Sequence, residues 1–213
     1  MISVLVVDDH ALIRKGLKML LEDSPNITIT GEADSGALAI KMCREQQYDL
    51  VLLDISLPDR LGIEVLKQLR LEHPYIRVIV LSMFPDDQYG VRALKAGAMG
   101  YINKQSAPEQ LIGAIEQVVK GKKYISESLA EQLLSSLMGA NQELPHHALS
   151  NREFQTLCLM ASGKTLTEIA ETMLLSPKTV SVYRSRMRDK MGFRNNADAI
   201  RYAITHRLVD GTE

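Results

Sequence analysis

The stretch LVLLDISLP, residues 50–58, decides the fold predicted for this chain. Its first four residues are apolar without alternation, which is typical of a β-strand covered on both faces in a parallel sheet. An acid, Asp54, directly follows this apolar run. We therefore expect a central strand at Leu50–Asp54 whose carboxyl end presents a carboxylate.

Similar apolar runs recur on both sides of this strand, within the first 120 residues. The sequence predicts four further strands, at 3–7, 27–32, 77–81 and 100–102. Stretches of helical period lie between or after the strands, at 11–21, 36–46, 61–73, 88–96 and 108–120. Five successive strand–helix units predict an α/β fold, a doubly wound parallel sheet with helices on both faces.

Beyond residue 120 the strand-like runs stop. The stretch SESLAEQLLSSLMG predicts one amphipathic helix, and GANQELPHHA has the Gly, Pro and polar residues of a linker. Four short helices are predicted after it, at 151–161, 165–173, 177–191 and 195–206. Ser150 with Glu153 forms a capping box, and Pro177 follows an N-cap serine at Ser176. We expect a first domain at 1–120, a linker at 121–148 and an all-α four-helix domain at 149–213.

Length and composition describe an ordinary globular protein. The 213 residues favour one or two domains, and 46% hydrophobic with 24% charged residues exclude disordered and collagen-like classes. No apolar run approaches the roughly 18 residues of a membrane span, and the first residues lack a basic signal-peptide region. Cys43 and Cys158 are read as buried thiols in a reducing compartment, so we expect a cytoplasmic protein without a disulfide framework.

Charge is divided unevenly along the chain. Residues 1–148 carry a net charge of −4 and residues 149–213 a net charge of +3. Within and just after the predicted helix 177–191, Asp189 is the single acid among six basic residues: Lys178, Arg184, Arg186, Arg188, Lys190 and Arg194. This asymmetry favours nucleic-acid contact by the second part, although a basic helix face often meets only solvent.

Acids, a hydroxyl and an amine follow the predicted strands. Asp8 and Asp9 end the first strand and Asp54 the third, and such strand ends meet where doubly wound sheets bind ligands. Three clustered carboxylates call for a cation, and Mg²⁺ accepts carboxylate, water and phosphate oxygens. Ser82 and Lys104 end the fourth and fifth strands on the same rim. Together these residues predict a phosphoryl-transfer site.

These motifs resemble the receiver domain of bacterial two-component response regulators. The resemblance covers residues 1 to about 120 and rests on DD at 8–9, DISLP at 54–58, the Ser82 strand end and GYINK at 100–104. It implies a flavodoxin-like sheet of strand order 2-1-3-4-5. The chain departs from the family pattern at Gln105, where many receivers have proline, and at Leu61, where an acid is frequent.

The same resemblance implies a role for each pocket residue. Asp54 would accept the phosphoryl group and Lys104 would hold it, while Ser82 and Tyr101 would form a switch pair. The implied Mg²⁺ ligands are Asp8, Asp9, Asp54 and the backbone carbonyl of Ser56.

The predicted helix 177–191 has two contrasting faces. Val180 and Met187 lie on an apolar stripe, and the opposite face carries small or polar residues that could approach base edges. With the preceding TLTEIAETM helix and the LLS turn, it forms a predicted helix-turn-helix. The candidate DNA-contacting residues are Lys178, Ser181, Val182, Arg184, Ser185, Arg186, Arg188 and Lys190.

The stretch from Leu149 to Ala203 resembles the LuxR-type DNA-binding domain, although Ser181 and Tyr183 stand where many members have Lys and His. Receiver and DNA-binding domain together are typical of NarL/FixJ-type response regulators. This resemblance implies a phosphorylation-dependent transcription regulator that binds double-stranded promoter DNA as a dimer. Its other implied partners are a sensor histidine kinase or phosphotransfer protein, and RNA polymerase.

An apolar ridge on the last helix could form the dimer contact. It consists of Ile200, Ile204 and Leu208, which recur at helical spacing. The alternative is that this ridge closes the small domain.

Two other functions are compatible with parts of the sequence. A phosphohydrolase would share the acidic sheet edge and would turn over a phosphoester, but its acceptor is followed by a second acid two residues on, where this chain has Ser56. A one-component regulator would bind a small apolar signal, yet the chain has no Trp and 3 Phe to line a pocket. For a response regulator we expect slow loss of its own phosphoryl group rather than enzymatic turnover.

Overall fold

The computed structural model describes residues 1–22, 24–83, 86–137, 144–206 and 208–209. The chain divides into two compact units, Met1–Leu133 and Leu134–Glu213. No helix in the described ranges is both long and apolar enough to cross a membrane.

The first unit is built on a parallel sheet of five strands. They are β1 (Ile2–Val7), β2 (Ile27–Ala33), β3 (Leu50–Asp54), β4 (Arg77–Ser82) and β5 (Gly100–Asn103). Their order is β2-β1-β3-β4-β5, with every pair parallel, which confirms the predicted doubly wound sheet. All five residues of β3 are buried, as expected for a strand covered on both faces.

Five helices accompany this sheet: α1 (Ala11–Glu22), α2 (Gly36–Glu45), α3 (Gly62–Glu72), α4 (Asp86–Lys95) and α5 (Ala107–Val119). Their bounds differ from the predicted ones by one or two residues. Strand order reverses between β1 and β3, where Val7 pairs with Leu53. The next residue on each strand is therefore an acid at the switch point, the place where such sheets bind ligands.

Part of the predicted linker packs on the first unit. The Tyr124 N–H donates to the Met99 carbonyl at 2.8 Å, and Tyr124 pairs in parallel with Gly100 at the edge of β5. Helix α6 (Glu127–Leu137) follows, and its Leu129 is fully buried. A Cβ atom at Gly90 of α4 would lie 2.8 Å from Leu129 Cδ1, so this glycine makes room for the leucine. Residues 138–143 of the predicted linker lie outside the described residues.

The second unit is helical, as predicted. After a 3₁₀ helix at Pro145–Ala148 come α7 (Asn151–Ala161), α8 (Leu166–Thr172), α9 (Pro177–Met191) and α10 (Asn196–Thr205). The capping box at Ser150 is confirmed, because its hydroxyl accepts from the Glu153 N–H at 3.3 Å and its own N–H donates to Glu153 Oε2 at 2.7 Å. Ser176 caps α9 through the Thr179 N–H at 3.1 Å, with Pro177 in the first turn, also as predicted.

The turn between α8 and α9 contains a strained residue. Leu174 has φ 52°, a left-handed conformation that favours glycine. Its N–H donates to the Glu171 carbonyl at 3.1 Å, and the Leu175 N–H donates to the Ala170 carbonyl at 2.9 Å. These bonds satisfy carbonyls at the end of α8 and turn the chain into α9.

Candidate functional site

The acids at the switch point form a buried pocket with one lysine. Asp8 is 1% exposed and Asp54 is 2% exposed. The Lys104 Nζ atom lies 2.6 Å from Asp8 Oδ2 and 2.8 Å from Asp54 Oδ2. The structure therefore brings together acids from β1 and β3 and a lysine that follows β5, although they are distant in the sequence.

Asp9 and His10 form the open side of the same pocket. The His10 Nδ1 atom lies 2.7 Å from Asp9 Oδ1 and 3.3 Å from Asp8 Oδ1. Ligand atoms of Asp8, Asp9, His10 and Asp54 all lie within 4.8 Å of one another. Sequence reasoning missed His10, although its position directly after the acid pair was a usable signal.

The donor atoms of this pocket suit a hard divalent cation. Mg²⁺ prefers oxygen ligands and usually takes one or two carboxylates together with water. The close carboxylates of Asp8, Asp9 and Asp54 supply such oxygens. The residues present therefore fit the magnesium ion that the sequence predicts.

Burial and neighbouring charges set the protonation of Asp54 and Lys104. Burial raises the pKa of Asp54, the Lys104 ammonium works against this rise, and the charge of Asp8 adds to it. Burial alone would lower the pKa of Lys104, but the charges and hydrogen bonds of Asp54 and Asp8 raise it overall. Lys104 therefore stays protonated, beside an acid whose charged form is disfavoured by burial.

Ser82 and Tyr101 lie inside the same end of the unit. Both are buried, on the neighbouring strands β4 and β5. The Ser82 carbonyl accepts the Lys104 N–H at 2.8 Å, which links the end of β4 to the loop that carries the lysine. Val80 pairs with Tyr101, so the backbone of Tyr101 lies level with a position two residues before Ser82 on β4.

Two departures from the family pattern have local explanations. The Gln105 N–H donates to Asn103 Oδ1 at 2.9 Å, a bond that a proline at this position could not make. Leu61 is buried and pairs with Ser56 across the loop after β3, so its apolar side chain belongs to the core.

Helix α9 presents a mixed face to solvent. Val180 and Met187 are buried, and Val182 on the opposite side is 43% exposed. Ser181 is half-buried. The candidate DNA-contacting residues that are exposed on this helix are Lys178, Val182, Ser185, Arg186 and Lys190.

Three basic candidates on α9 are engaged within the second unit. Lys190 Nζ lies 2.7 Å from Glu153 Oε2, and Arg188 Nη2 donates to the Arg194 carbonyl at 3.0 Å. Arg184 is half-buried and lines a cleft of about 260 Å³ with residues of α8 and α10. The contacts of Lys190 and Arg188 connect α9 to other segments of the unit, which the helix angle alone could not indicate.

The predicted ridge on the last helix is not continuous at the surface. Ile204 is 52% exposed, but Leu208 is 2% exposed and its N–H donates to the Ala203 carbonyl at 2.8 Å. Ile200 is half-buried and lines the cleft beside Arg184. The expectation that Leu208 offers a dimer surface is therefore corrected: its side chain closes the second unit.

Comparison with known proteins matches both units to families. Residues 4–116 match the response regulator receiver domain, and residues 147–203 match the bacterial regulatory proteins of the luxR family. The chain is a NarL/FixJ-type response regulator. The response regulator UvrY of Escherichia coli (strain K12) is 37% identical over 211 residues, covering 99% of this chain and 97% of UvrY. GacA of Pseudomonas aeruginosa is 36% identical over 211 residues, covering 99% of each chain.

A solved structure matches nearly the whole length of the chain. RcsB from Salmonella enterica serovar Typhimurium, bound to promoter rprA in the presence of the phosphomimetic BeF3-, is 25% identical with a TM-score of 0.67. The match covers 96% of this chain and 100% of that one. The receiver and luxR-family matches imply a phosphodonor partner, DNA binding and phosphorylation-dependent regulation of transcription.

Proposed function

We propose that this response regulator accepts a phosphoryl group on Asp54 with the help of Mg²⁺, and binds promoter DNA through the exposed face of α9. One observation carries the first half of the proposal: the buried Asp54 carboxylate lies 2.8 Å from Lys104 Nζ in a pocket shared with Asp8. Such a carboxylate at a strand end, beside a fixed cation, has the parts of a phosphoryl acceptor.

The transfer step needs one nucleophile and several groups that hold charge. An Asp54 oxygen attacks the phosphorus of the donor, a P–O bond to Asp54 forms, and the bond from phosphorus to the donor's leaving group breaks. Lys104 holds a phosphoryl oxygen, and a bound Mg²⁺ would offset the negative charge of phosphoryl group and carboxylates. Its proposed ligands are Asp8, Asp9, Asp54 and the backbone carbonyl of Ser56.

The switch pair provides a route from the phosphoryl group to the surface of the unit. Phosphoryl oxygens on Asp54 would attract the Ser82 hydroxyl, and Tyr101 would move into the space beneath the end of β4. Buried side chains have few alternative arrangements, so the pair can act as a two-state element. The phosphoryl group shifts this equilibrium only through contacts that are better in one state.

The docked segment after α5 extends this route. Tyr124 pairs with β5 beside Tyr101, and Leu129 is buried against Gly90 of α4. A conformational change in α4 or β5 would therefore alter the packing of the start of α6. The DNA-binding domain would respond in one of two ways, by release of a blocked α9 or by dimerisation. Release predicts that a fragment of residues 145–213 binds DNA more tightly than the unphosphorylated full chain does.

The proposed DNA interface contains fewer residues than the sequence predicted. Ser181, Val182 and Ser185 would face base edges, and Lys178 with Arg186 would contact phosphates. Arg188 and Lys190 position the helix through their contacts within the unit, and Arg184 is half-buried beside a cleft. Binding as a dimer, with Ile204 as the exposed candidate contact, predicts half-sites about 10 bp apart or a multiple of it.

The remaining assignments follow from this function. We propose a receiver at 1–120, a linker at 121–148 whose first part docks on the receiver, and a DNA-binding domain at 149–213. The donor would be a sensor histidine kinase or phosphotransfer protein in the cytoplasm, with RNA polymerase as a further partner. The phosphoryl group would be lost slowly by autodephosphorylation.

Intact-mass measurement after incubation with Mg²⁺ and a small phosphodonor tests the acceptor. We expect one phosphoryl group per chain and none on an Asp54→Asn variant. Asp34→Asn is the matched control, because Asp34 is an exposed acid that directly follows β2. Unchanged uptake by Asp54→Asn would contradict the assignment.

A further inference from the structure

His10 places a nitrogen atom among the oxygens of the acidic pocket. Its Nδ1 atom lies 2.7 Å from Asp9 Oδ1 and 3.3 Å from Asp8 Oδ1. The ring is 65% exposed, so an ion could reach it from solvent. The proposed function uses Asp8 and Asp9 and gives this imidazole no role.

The two oxygens of Asp8 face different partners. Oδ2 lies 2.6 Å from Lys104 Nζ, whereas Oδ1 accepts the backbone N–H of His10 at 2.9 Å. That backbone bond fixes the start of the His10 side chain beside Oδ1. The side of Asp8 turned away from the lysine is therefore the side that Asp9 and His10 share.

The distances from His10 Nδ1 to the two carboxylate oxygens suit ligands of one metal ion. In an octahedral site with bonds of about 2.1 Å, neighbouring donor atoms lie about 3.0 Å apart. The separations of 2.7 Å and 3.3 Å from Nδ1 to the two carboxylates lie on either side of that value. Nδ1 therefore occupies a place that a ligand adjacent to both oxygens would take.

An imidazole changes which metals a carboxylate site prefers. Carboxylate and water ligands suit Mg²⁺ and Mn²⁺, while imidazole nitrogen suits later divalent transition metals. A site with two or three carboxylates and one imidazole would gain affinity for Co²⁺ over Mg²⁺. Mn²⁺ accepts either kind of ligand and can be observed by electron paramagnetic resonance.

We propose that His10 Nδ1 is a metal ligand, which makes this pocket bind nitrogen-accepting divalent transition-metal ions more tightly than the acids alone would. The inference rests on the proposed function in one respect, namely that a divalent ion binds at Asp8, Asp9 and Asp54. The competing role for His10 is that of a hydrogen-bond partner that only orients Asp9.

Pulsed electron paramagnetic resonance of the full chain with one equivalent of Mn²⁺ distinguishes the two roles. A directly bound imidazole gives ¹⁴N modulation of the Mn²⁺ echo, which we expect for the wild type and not for His10→Ala. His73→Ala is the matched control, since it removes an imidazole from the same unit outside the pocket, and it should retain the modulation. Asp54→Asn tests whether the ion is in this pocket at all.

Metal titration gives a second, independent readout. We expect His10→Ala to weaken Co²⁺ binding by about tenfold and to leave Mg²⁺ binding within about twofold. Mn²⁺ bound without ¹⁴N modulation, with equal effects on Co²⁺ and Mg²⁺, would overturn the role of His10 and leave the proposed function intact. Metal binding that is unchanged in Asp54→Asn would instead overturn the proposed metal site.

Discussion

Lys104 Nζ is within 2.8 Å of Asp54 Oδ2, although Asp54 ends β3 and Lys104 directly follows β5, with β4 between the two strands. The lysine reaches over the end of β4, where its own N–H is held by the Ser82 carbonyl at 2.8 Å. This contact joins the proposed phosphoryl acceptor to the strand that carries the proposed switch hydroxyl. A backbone hydrogen bond therefore links the lysine of the acidic pocket to the proposed switch residue Ser82.

Lys104→Met should slow phosphorylation of Asp54 and destabilise the metal-free protein. The methionine leaves buried carboxylates without their cation, and breaking a buried pair in this way costs about 3 kcal/mol. Without the ammonium the pKa of Asp54 rises further, so the loss of stability should be smaller at pH 5 than at pH 7. Chemical unfolding in a metal chelator at both pH values measures this, with the exposed Lys122→Met as control. Equal stability of wild type and Lys104→Met at pH 7 would contradict the prediction.

The second unit should lose stability in acid through Glu153. Burial alone would raise the pKa of Glu153, but hydrogen bonds from Lys190 and Ser150 lower it below its ordinary value. A carboxyl with a lowered pKa stabilises the fold fully above its unfolded pKa of about 4.3, and this contribution is lost as pH falls through the lower folded value. Hydrogen exchange of α7 amides between pH 3 and pH 6 measures it. Lys190→Met should flatten this dependence, whereas the exposed Lys178→Met should not.

Gly90→Ala should weaken the coupling between phosphorylation and DNA binding. The new methyl group would lie 2.8 Å from Leu129 Cδ1 and would displace the start of α6 from its packing contact with α4. We expect phosphorylation of Asp54 at a rate within about twofold of wild type, and a smaller gain in DNA affinity on phosphorylation. Gly113→Ala is the matched control, because it adds a methyl to α5 with nothing within 4 Å. A full gain in affinity in Gly90→Ala would exclude this route.

Two substitutions on α9 should separate base reading from phosphate contact. Val182→Ala should change base preference in DNA selection, because Val182 is exposed on the face proposed to meet base edges. Arg186→Ala should weaken binding to all sequences alike and reduce the salt slope by about one unit. Titrations at several salt concentrations measure the slope. A changed base preference in Arg186→Ala with an unchanged slope would contradict the assignment of Arg186 to phosphate.

The sheet and its acidic edge could be predicted because they follow from local patterns. Continuous apolar runs such as Leu50–Asp54 identify covered strands, and the strand order brings the acids after β1 and β3 together. Helix starts were predictable for the same reason, since Ser150 and Ser176 carry their capping signals within a few residues.

Contacts between distant segments could not be predicted in this way. A helix angle assigns Lys190 to a side of α9, but only the folded unit brings Glu153 of α7 to within 2.7 Å of its amine. Leu208 continues an apolar spacing, yet the chain turns it into the core after α10. The turn at Leu174 carries no glycine, so its left-handed backbone has no sequence signal.

The affinity of the full chain for a DNA site selected from random sequences, before and after phosphorylation at one fixed salt concentration, tests the account most directly. Fixed salt is essential because phosphate contacts make DNA affinity strongly salt-dependent. We predict that phosphorylation tightens binding by at least about tenfold, a coupling of about 1.4 kcal/mol, and that Asp54→Asn treated in the same way shows no change. Equal affinity of the phosphorylated and unphosphorylated chains would contradict the account.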